Sequence, residues 1–157
     1  MKVNDPEILA YLSHSMVARI ATLSRRGRPS VNPLYFIHFD EAVLLGTAEW
    51  TLAARNVKAD SRVSVLFDAE RAPRDRRILR ILGTARVRTD PEIMRIYNVQ
   101  VARKYLLSPG GIRNTLTHLK QFQVQQRYRA QSAEKGKPCV IEVTAEEVEF
   151  LAMKGRF

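Results

Sequence analysis

The chain has 157 residues, the size of one ordinary domain with a single hydrophobic core, so we expect one domain over residues 1–157. Hydrophobic residues make up 45% and charged residues 27% of the sequence, a composition that excludes an intrinsically disordered chain. Lysine and arginine number 26 against 16 aspartates and glutamates, and the resulting net charge of +10 favours an anionic ligand or partner.

The sequence carries no signal for a membrane or an oxidising compartment. No stretch reaches the roughly 20 apolar residues of a membrane helix, and Asp5 and Glu7 stand where a signal peptide needs basic and then apolar residues. The single cysteine, Cys139, cannot form an internal disulfide, and three histidines do not make a zinc-type cluster. We therefore expect a cytoplasmic protein with no metal site and no membrane association.

The first third of the chain predicts one helix and three strands. Asn4-Asp5-Pro6-Glu7 is typical of a helix start, and the helix should continue to about Ser13. The turn residues at 24–29 and 40–41 then separate three β-rich segments, which are 17–23, 30–39 and 42–47. Because the connections are short, we expect an antiparallel three-stranded meander.

The middle of the chain predicts a short helix and two more strands. The helix should lie within 50–59, with Thr47 or Thr51 as its cap. A strand follows over 62–67, and a long strand over 77–89 is interrupted by Gly83, where we expect a bulge.

The last third predicts helices and then a hairpin. Asp90-Pro91 is a second strong helix start, and helical spacing continues to about Leu107, with another helical segment over 112–132. The final two strands are expected at 139–144 and 148–153. These elements predict a mainly β, α+β barrel of six or seven antiparallel strands, with a helical excursion over 90–134.

One local pattern is compatible with anion binding. Thr47 and Thr51 precede the short helix, and Arg55 lies one turn inside it, so amides, hydroxyls and a guanidinium could meet a phosphate. The same pattern also fits a threonine that only caps the helix and an arginine that only faces solvent. Both interpretations stay open at this point.

The ordered set of elements resembles the pyridoxamine 5'-phosphate oxidase-like flavin-binding split barrels. The resemblance covers nearly the whole chain and rests on the order of the segments, not on any single motif. The segments that carry it are VARIATL at 17–23, GRP at 27–29, VNPLYF at 31–36, RNVKADSRVSV at 55–65, GTARV at 83–87 and VIEVTAEEV at 140–148.

The resemblance implies a homodimer with two cofactor sites at the subunit interface. The cofactor would be FMN or the deazaflavin F420, and the enzyme would transfer hydride to a small organic acceptor. FMN is the family's commoner ligand, whereas the arginine cluster at 71–80 favours the long acidic tail of F420. No side chain stands out as a general acid, so the catalytic residues are not predicted.

The resemblance also assigns cofactor-binding residues by position. The backbone of Pro33, Leu34 and Tyr35 would run along the ring, and Arg77 and Arg80 would face the site from the ring side or from the partner subunit. Trp50 would cover an edge of the site, or it would anchor the core or an interface. The phosphate end would lie near Gly46, Thr47, Thr51, Arg55 and Asn56.

Three positions depart from the family pattern. Relatives that bind a phosphorylated flavin usually carry a lysine two residues before the position of Arg55, where this chain has Ala53. The oxidase itself has an arginine and a lysine at the positions of Asn32 and Ile37. True pyridoxamine-phosphate oxidase activity is therefore not expected, and arginines would have to replace the missing lysine.

The second hypothesis is a protein that has lost phosphorylated-flavin binding. Such a module would be non-catalytic or would bind haem or another tetrapyrrole, although the spacing of His14, His38 and His118 does not indicate a ligand pair. The basic, partly aromatic helical stretch over 103–129 has no nucleic-acid-binding motif, so we expect it to cover the site or to join the dimer.

Overall fold

The computed structural model describes residues 1–106 and 136–151, and these residues form one curled sheet of seven antiparallel strands. The order across the sheet is β2-β1-β5-β6-β7-β4-β3, so β2 and β3 are its edges. The predicted mainly β barrel is thereby confirmed. The strands are β1 Ala18–Leu23, β2 Pro29–Leu34, β3 Phe36–Phe39, β4 Ala42–Ala48, β5 Arg62–Asp68, β6 Ile78–Arg88 and β7 Pro138–Leu151.

In the described part of the chain, three helices begin at the positions that the capping residues predicted. They are α1 Pro6–His14, α2 Leu52–Ala59 and α3 Pro91–Val101, and a π-helical turn over Ala102–Leu106 extends α3. Thr51 is the N-cap of α2, and Asp90 is the N-cap of α3. The predicted helical segment over 112–132 lies outside the described residues. No helix of the described part is long and apolar enough to cross a bilayer.

The predicted bulge at Gly83 is confirmed. The register between β6 and β7 shifts between Leu82 and Gly83, so that Leu82 pairs with Glu147 and Gly83 with Ala145. A Cβ at position 83 would collide with the backbone carbonyl of Thr144. Glycine is required here because two backbones approach closely at the point where the sheet bends.

The predicted single strand over 30–39 is wrong, because the chain breaks at Tyr35 into β2 and β3. Strand β2 pairs with β1, whereas β3 pairs with β4, so the three segments do not form one meander. Pro29 and Pro33 help to make β2 an edge, since proline has no N–H to donate to a second partner strand. The apolar residues 34–37 around Tyr35 include no turn residue, so the sequence pattern gives no sign of the break.

The predicted C-terminal hairpin is also wrong, because 138–151 is one continuous strand. Strand β7 pairs with β6 from Val140 to Leu151 and with β4 through its first half, from Thr144↔Ala42 to Pro138↔Ala48. The residues 145–147 are Ala-Glu-Glu, which offer no turn chemistry. The extra residue, Glu146, is absorbed by the bulge opposite Gly83.

The core lies inside the curl and on one outer face of the sheet. Inside, Ala53 and Val57 of α2 pack with Ile20 and Val65, so α2 fills one end of the barrel. Outside, α3 packs Ile93 and Tyr97 against residues of β3, β4 and β7, which are Ile37, Leu44 and Val140.

Candidate functional site

The outer face of the edge strand β2 is apolar and exposed. Val31 is 62% exposed and Tyr35, at the end of the strand, is 56% exposed, while Pro33 between them is also exposed. Large exposed apolar side chains in a row on one strand are typical of an interaction surface. This face is therefore the first component of the candidate site.

Tyr35 is held firmly although its ring is exposed. Its carbonyl oxygen accepts hydrogen bonds from the amide of Gly46 at 3.0 Å and from the hydroxyl of Tyr97 at 3.2 Å. Its ring lies 4.7 Å from the ring of Tyr105, measured between centroids. The break between β2 and β3 thus fixes the backbone and presents an aromatic side chain outward.

Gly46, which the resemblance placed near the phosphate, has a packing role in this structure. A Cβ at position 46 would collide with the hydroxyl and the ring of Tyr97. Tyr97 reaches across from α3 to Tyr35, so only glycine leaves room for it. The close approach explains the glycine without any ligand.

The two threonines before α2 bond to each other and to the helix. The Thr51 hydroxyl accepts from the amide of Ala54 at 3.3 Å and donates to the carbonyl of Ala48 at 2.8 Å. It lies 2.9 Å from the Thr47 hydroxyl, which must therefore be the donor of that pair. Both hydroxyl protons are committed within the protein, as expected for helix capping and not for anion binding.

A cleft of about 480 Å³ lies beside α2 and contains the predicted Arg55. Arg25, from the turn between β1 and β2, and Arg55 are both exposed, and no described carboxylate forms an ion pair with either. Lys58 contacts Glu49 at 3.0 Å. We call this the α2 cleft, and its lining residues are Arg25, Leu52, Arg55, Asn56, Lys58 and Ala59.

Asn56 touches the α2 cleft, but its amide nitrogen serves the fold. The residue is 4% exposed, and its Nδ2 donates to the Thr22 hydroxyl at 3.0 Å and to the Ser30 hydroxyl at 3.1 Å. Those two hydroxyls are 3.0 Å apart. This buried network ties α2 to β1 and β2 and uses both amide protons.

Position 53, which the family pattern assigns to a lysine, does not face the α2 cleft. Ala53 is 1% exposed and belongs to the inner core, whereas its neighbour Leu52 is 45% exposed and lines the cleft. A cation at position 53 would point into the barrel. The positive charges of the cleft come instead from Arg25, Arg55 and Lys58.

Arg77 and Arg80 lie at the opposite end of the sheet from α2. Arg77 precedes β6, binds Asp75 at 2.8 Å and lies 4.1 Å from the centroid of the Phe150 ring. Hydrogen bonds from Arg77 hold the pKa of Asp75 below its usual value. Arg80 pairs with Glu149 through Nε at 2.7 Å. Within one chain the structure therefore separates both arginines from Arg55.

Two further residues that the sequence analysis named, Asn32 and Trp50, have distinctive surroundings. The Oδ1 atom of Asn32, on β2, is buried and has no hydrogen-bond partner among the described residues. Trp50 is 41% exposed, and its Cδ1 atom would lie 3.1 Å from a Cβ built on Gly136. An orphaned acceptor is uncommon in a folded protein, so Asn32 is a candidate ligand contact.

The reactive side chains of the described part do not form a nucleophilic or metal centre. Burial raises the pKa of Cys139 to about 11, which keeps its thiol protonated. His38 bonds to Oδ1 of Asn4 at 2.9 Å, and burial lowers its pKa. No group of three His, Cys, Asp or Glu side chains converges among the described residues. His118 lies outside them.

The curled antiparallel sheet with a helix inside one end defines a split β-barrel. The family model described as pyridoxamine 5'-phosphate oxidase matches residues 5–152, and the chain belongs to this family. No curated protein is significantly similar to the chain in sequence.

Solved structures with this fold include proteins of different kinds. A conserved hypothetical protein from Mycobacterium tuberculosis is 16% identical with a TM-score of 0.66, and the match covers 96% of this chain and 86% of that chain. An F420 reductase is 16% identical with a TM-score of 0.58 over 89% and 94% of the two chains. A heme binding protein from Mycobacterium smegmatis is 17% identical with a TM-score of 0.59 over 93% and 52%. At such identities the likeness is one of fold.

Proposed function

We propose that this chain is a flavin- or deazaflavin-dependent oxidoreductase that binds FMN, or F420 as the alternative, at a homodimer interface and transfers hydride to a small organic acceptor. One observation carries the proposal, namely the arginine-lined α2 cleft beside the edge strand β2, whose opposite face carries the exposed apolar side chains. The hydrogen bond from Asn56 to Ser30 joins α2 to β2 directly. An elongated ligand with an anionic end and a flat apolar end suits such a pair of surfaces.

The anionic end of the cofactor would bind in the α2 cleft. Arg25 and Arg55 are exposed there without a described carboxylate partner, so both can form charge-assisted hydrogen bonds to a phosphate. Leu52 offers an apolar wall beside them. The family's missing lysine is then replaced by two arginines, one from a turn and one from the helix.

The flat end of the cofactor would lie along β2. Tyr35 and Val31 supply apolar surface on the exposed face of the strand, whereas the orphaned Oδ1 of Asn32 lies on the opposite face. When bound, a flavin or deazaflavin supplies the hydride chemistry. The chain would bind and orient the ring and exclude water, since none of the described residues that line the α2 cleft is Asp, Glu, His or Cys.

The exposed apolar side chains also support the homodimer. Val31, Tyr35, Trp50 and Leu52 are each more than 40% exposed in the single chain, and burying them would favour association. The contribution of Arg77 and Arg80 to the cofactor site from the partner subunit stays a prediction. That role would require the ion pairs of Arg77 with Glu7 and Asp75, and of Arg80 with Glu149, to open or to be shared with the ligand.

The proposal is tested by titrating the purified protein with FMN and with F420, following ligand fluorescence. Arg55→Gln and Arg25→Gln should each weaken binding roughly ten- to hundredfold, because each removes a charge-assisted hydrogen bond. Arg95→Gln, on the exposed side of α3, removes the same charge outside the cleft and should leave the affinity unchanged. Light scattering before and after cofactor addition should report a dimer.

Three results would contradict the proposal. A protein that ignores both cofactors, or that binds them equally well in all three variants, would refute the α2 cleft as the phosphate site. A Soret band in the purified protein would favour the haem-binding alternative, although the described lining of the α2 cleft contains no histidine. A monomer that binds the cofactor fully would refute the interface.

A further inference from the structure

The hairpin of β1 and β2 separates from the rest of the sheet before it turns. Strand β1 pairs with β2 along its whole length, whereas it pairs with β5 only from Ala18 to Ala21. The last two residues of β1, Thr22 and Leu23, therefore have β2 as their only strand partner among the described residues. The hairpin ends as a two-stranded ribbon, and its tip is the turn over residues 24–28, which we call the arginine turn.

Hydrogen bonds fix the shape of the arginine turn. The amide of Ser24 donates to the carbonyl of Arg28 at 2.9 Å, and the amide of Gly27 donates to the carbonyl of Ser24 at 2.8 Å. The Ser24 hydroxyl accepts from the amide of Arg28 at 3.1 Å. Gly27 has a φ of 71°, the left-handed conformation that glycine adopts readily. The backbone that carries the three arginines of the turn is thus held in one arrangement.

The described part of the chain does not neutralise the charge of the arginine turn. Arg25, Arg26 and Arg28 are exposed, and no described carboxylate forms an ion pair with any of them. Aspartates and glutamates do neutralise other arginines of the fold, which are Arg19, Arg62, Arg77, Arg80, Arg86 and Arg88. Three like charges on a five-residue turn repel each other, so an anion that lies against all three stabilises the turn.

The basic surface continues from the turn onto α2. Arg25 and Arg55 both line the α2 cleft, and Arg55 is likewise exposed without a described ion-pair partner. Arg26 and Arg28 lie outside the described lining of that cleft. A single phosphate in the cleft therefore leaves two guanidinium groups of the turn without an anion. A ligand whose negative charges repeat along its length fits the whole surface better.

The chemistry of the arginine turn favours a nucleic-acid backbone over a membrane. Its sequence, SRRGR, contains no apolar side chain, whereas binding to a lipid surface depends on apolar side chains that enter the lipid. Guanidinium groups form paired hydrogen bonds with phosphate. The major groove of B-form DNA is about 12 Å wide and admits a two-stranded ribbon, whereas that of A-form RNA is too narrow.

We propose that the arginine turn is a contact surface for double-stranded DNA, with the tip of the β1–β2 ribbon at the major groove and Arg25, Arg26 and Arg28 on backbone phosphates. Phosphate contacts carry no base information, so the binding is independent of DNA sequence. The amino-acid sequence has no nucleic-acid-binding motif, and the inference rests on the shape and charge of the turn. It does not depend on the proposed cofactor.

The test is the anisotropy of a fluorescently labelled DNA duplex of about 20 base pairs, titrated with the full chain at increasing NaCl concentration. Three or four phosphate contacts predict a slope of about −3 to −4 for log K against log salt, and about twice this value where a dimer presents two turns to one duplex. Arg26→Gln and Arg28→Gln should each make the slope shallower by about 0.9 for every turn in contact. At about 50 mM salt each variant should bind roughly tenfold more weakly.

Two controls remove the same charge elsewhere. Arg95 lies on the exposed side of α3, and Arg74 is an exposed residue of the loop before β6, at the opposite end of the sheet from the turn. Arg95→Gln and Arg74→Gln should keep the wild-type slope. Arg26→Gln should also keep the wild-type affinity for FMN, which separates the DNA surface from the proposed cofactor site.

The proposal is overturned if the wild type does not bind the duplex at about 50 mM salt, or if Arg74→Gln changes the slope as much as Arg26→Gln does, because the effect is then one of net charge. Duplex RNA bound as tightly as duplex DNA contradicts the contact at the major groove. Binding to vesicles with about 30% phosphatidylserine, lost in Arg26→Gln while DNA binding persists, would make a membrane the partner instead.

Discussion

Replacement of Asn56 by alanine separates a structural role from a ligand-binding role at the α2 cleft. The side chain is 4% exposed, and its amide donates two hydrogen bonds, to Thr22 and to Ser30. Each neutral hydrogen bond contributes about 1 kcal/mol, and the lost amide leaves a small void beside the 2% exposed Thr22. The hydrogen bond between the Thr22 and Ser30 hydroxyls remains in the variant, which limits the loss of stability. We expect Asn56→Ala to lower the free energy of unfolding by about 2–3 kcal/mol.

For a chain of this size each kcal/mol corresponds to roughly 2–4 °C in Tm, so thermal unfolding followed by circular dichroism should show a decrease of about 4–12 °C. Urea denaturation gives the free energy independently. The neighbouring Arg55→Ala is the control, since Arg55 is exposed and its replacement should change stability by less than about 0.5 kcal/mol. If Asn56→Ala keeps the wild-type Tm and instead loses cofactor affinity, the structural assignment is wrong.

Three further predictions follow from packing and charge. Gly46→Ala should lower the free energy of unfolding by about 1–3 kcal/mol in the wild type and by less in a Tyr97→Leu background, measured by urea denaturation; equal losses would contradict the clash. Leu52→Lys adds a cation to the lining of the α2 cleft and should tighten FMN binding. Ala53→Lys places a cation in the core and should lower the free energy of unfolding by at least about 3 kcal/mol. A stable Ala53→Lys protein that binds FMN more tightly would refute the assignment of position 53 to the core. The lysine pKa in the unfolded chain is near 10.4, whereas burial lowers the pKa of Lys104 in the fold to about 7, so the unfolded chain binds more protons between these values. The free energy of unfolding of the wild type should therefore rise relative to that of Lys104→Met from about pH 7 to pH 9, by at most about 1.4 kcal/mol per pH unit. If urea denaturation shows the same pH dependence of this free energy for both proteins, the lowered pKa of Lys104 is disproved.

Local chemistry made most of the fold predictable. Asp90 and Pro91 mark a helix start because a carboxylate accepts from the third amide and proline needs no N–H there. Gly83 marks the bulge because only glycine tolerates the carbonyl of Thr144. These signals act within a few residues and do not depend on the rest of the chain.

The two errors in the strand pattern arise from contacts between distant segments. The chain breaks at Tyr35 because Gly46 and Tyr97 bind its carbonyl, and neither contact leaves a mark on the local sequence. Strand β7 is continuous because β6 pairs with both of its halves. Strand boundaries of this type are set by tertiary pairing, which overrides local propensity.

The candidate site was predicted in part. Arg55 lines the α2 cleft with Asn56, as the motif indicated, but Asn56 also holds the helix in place. Arg25 was missed because a turn arginine is ordinarily a solvated residue, and its position opposite α2 depends on the strand order. The place of Arg77 and Arg80 in a dimer is a prediction that one chain does not test.

The long strand β7 has a consequence for how the chain is made. It is the element that joins β6 to β4, and without it the sheet consists of the set β2-β1-β5-β6 and the separate pair β4-β3. During synthesis from the N-terminus, most of the protein is therefore translated before the barrel can close. A nascent chain that stops before Pro138 would expose two unpaired strand edges, which are templates for aggregation. The barrel can therefore close only after β7 has been synthesised.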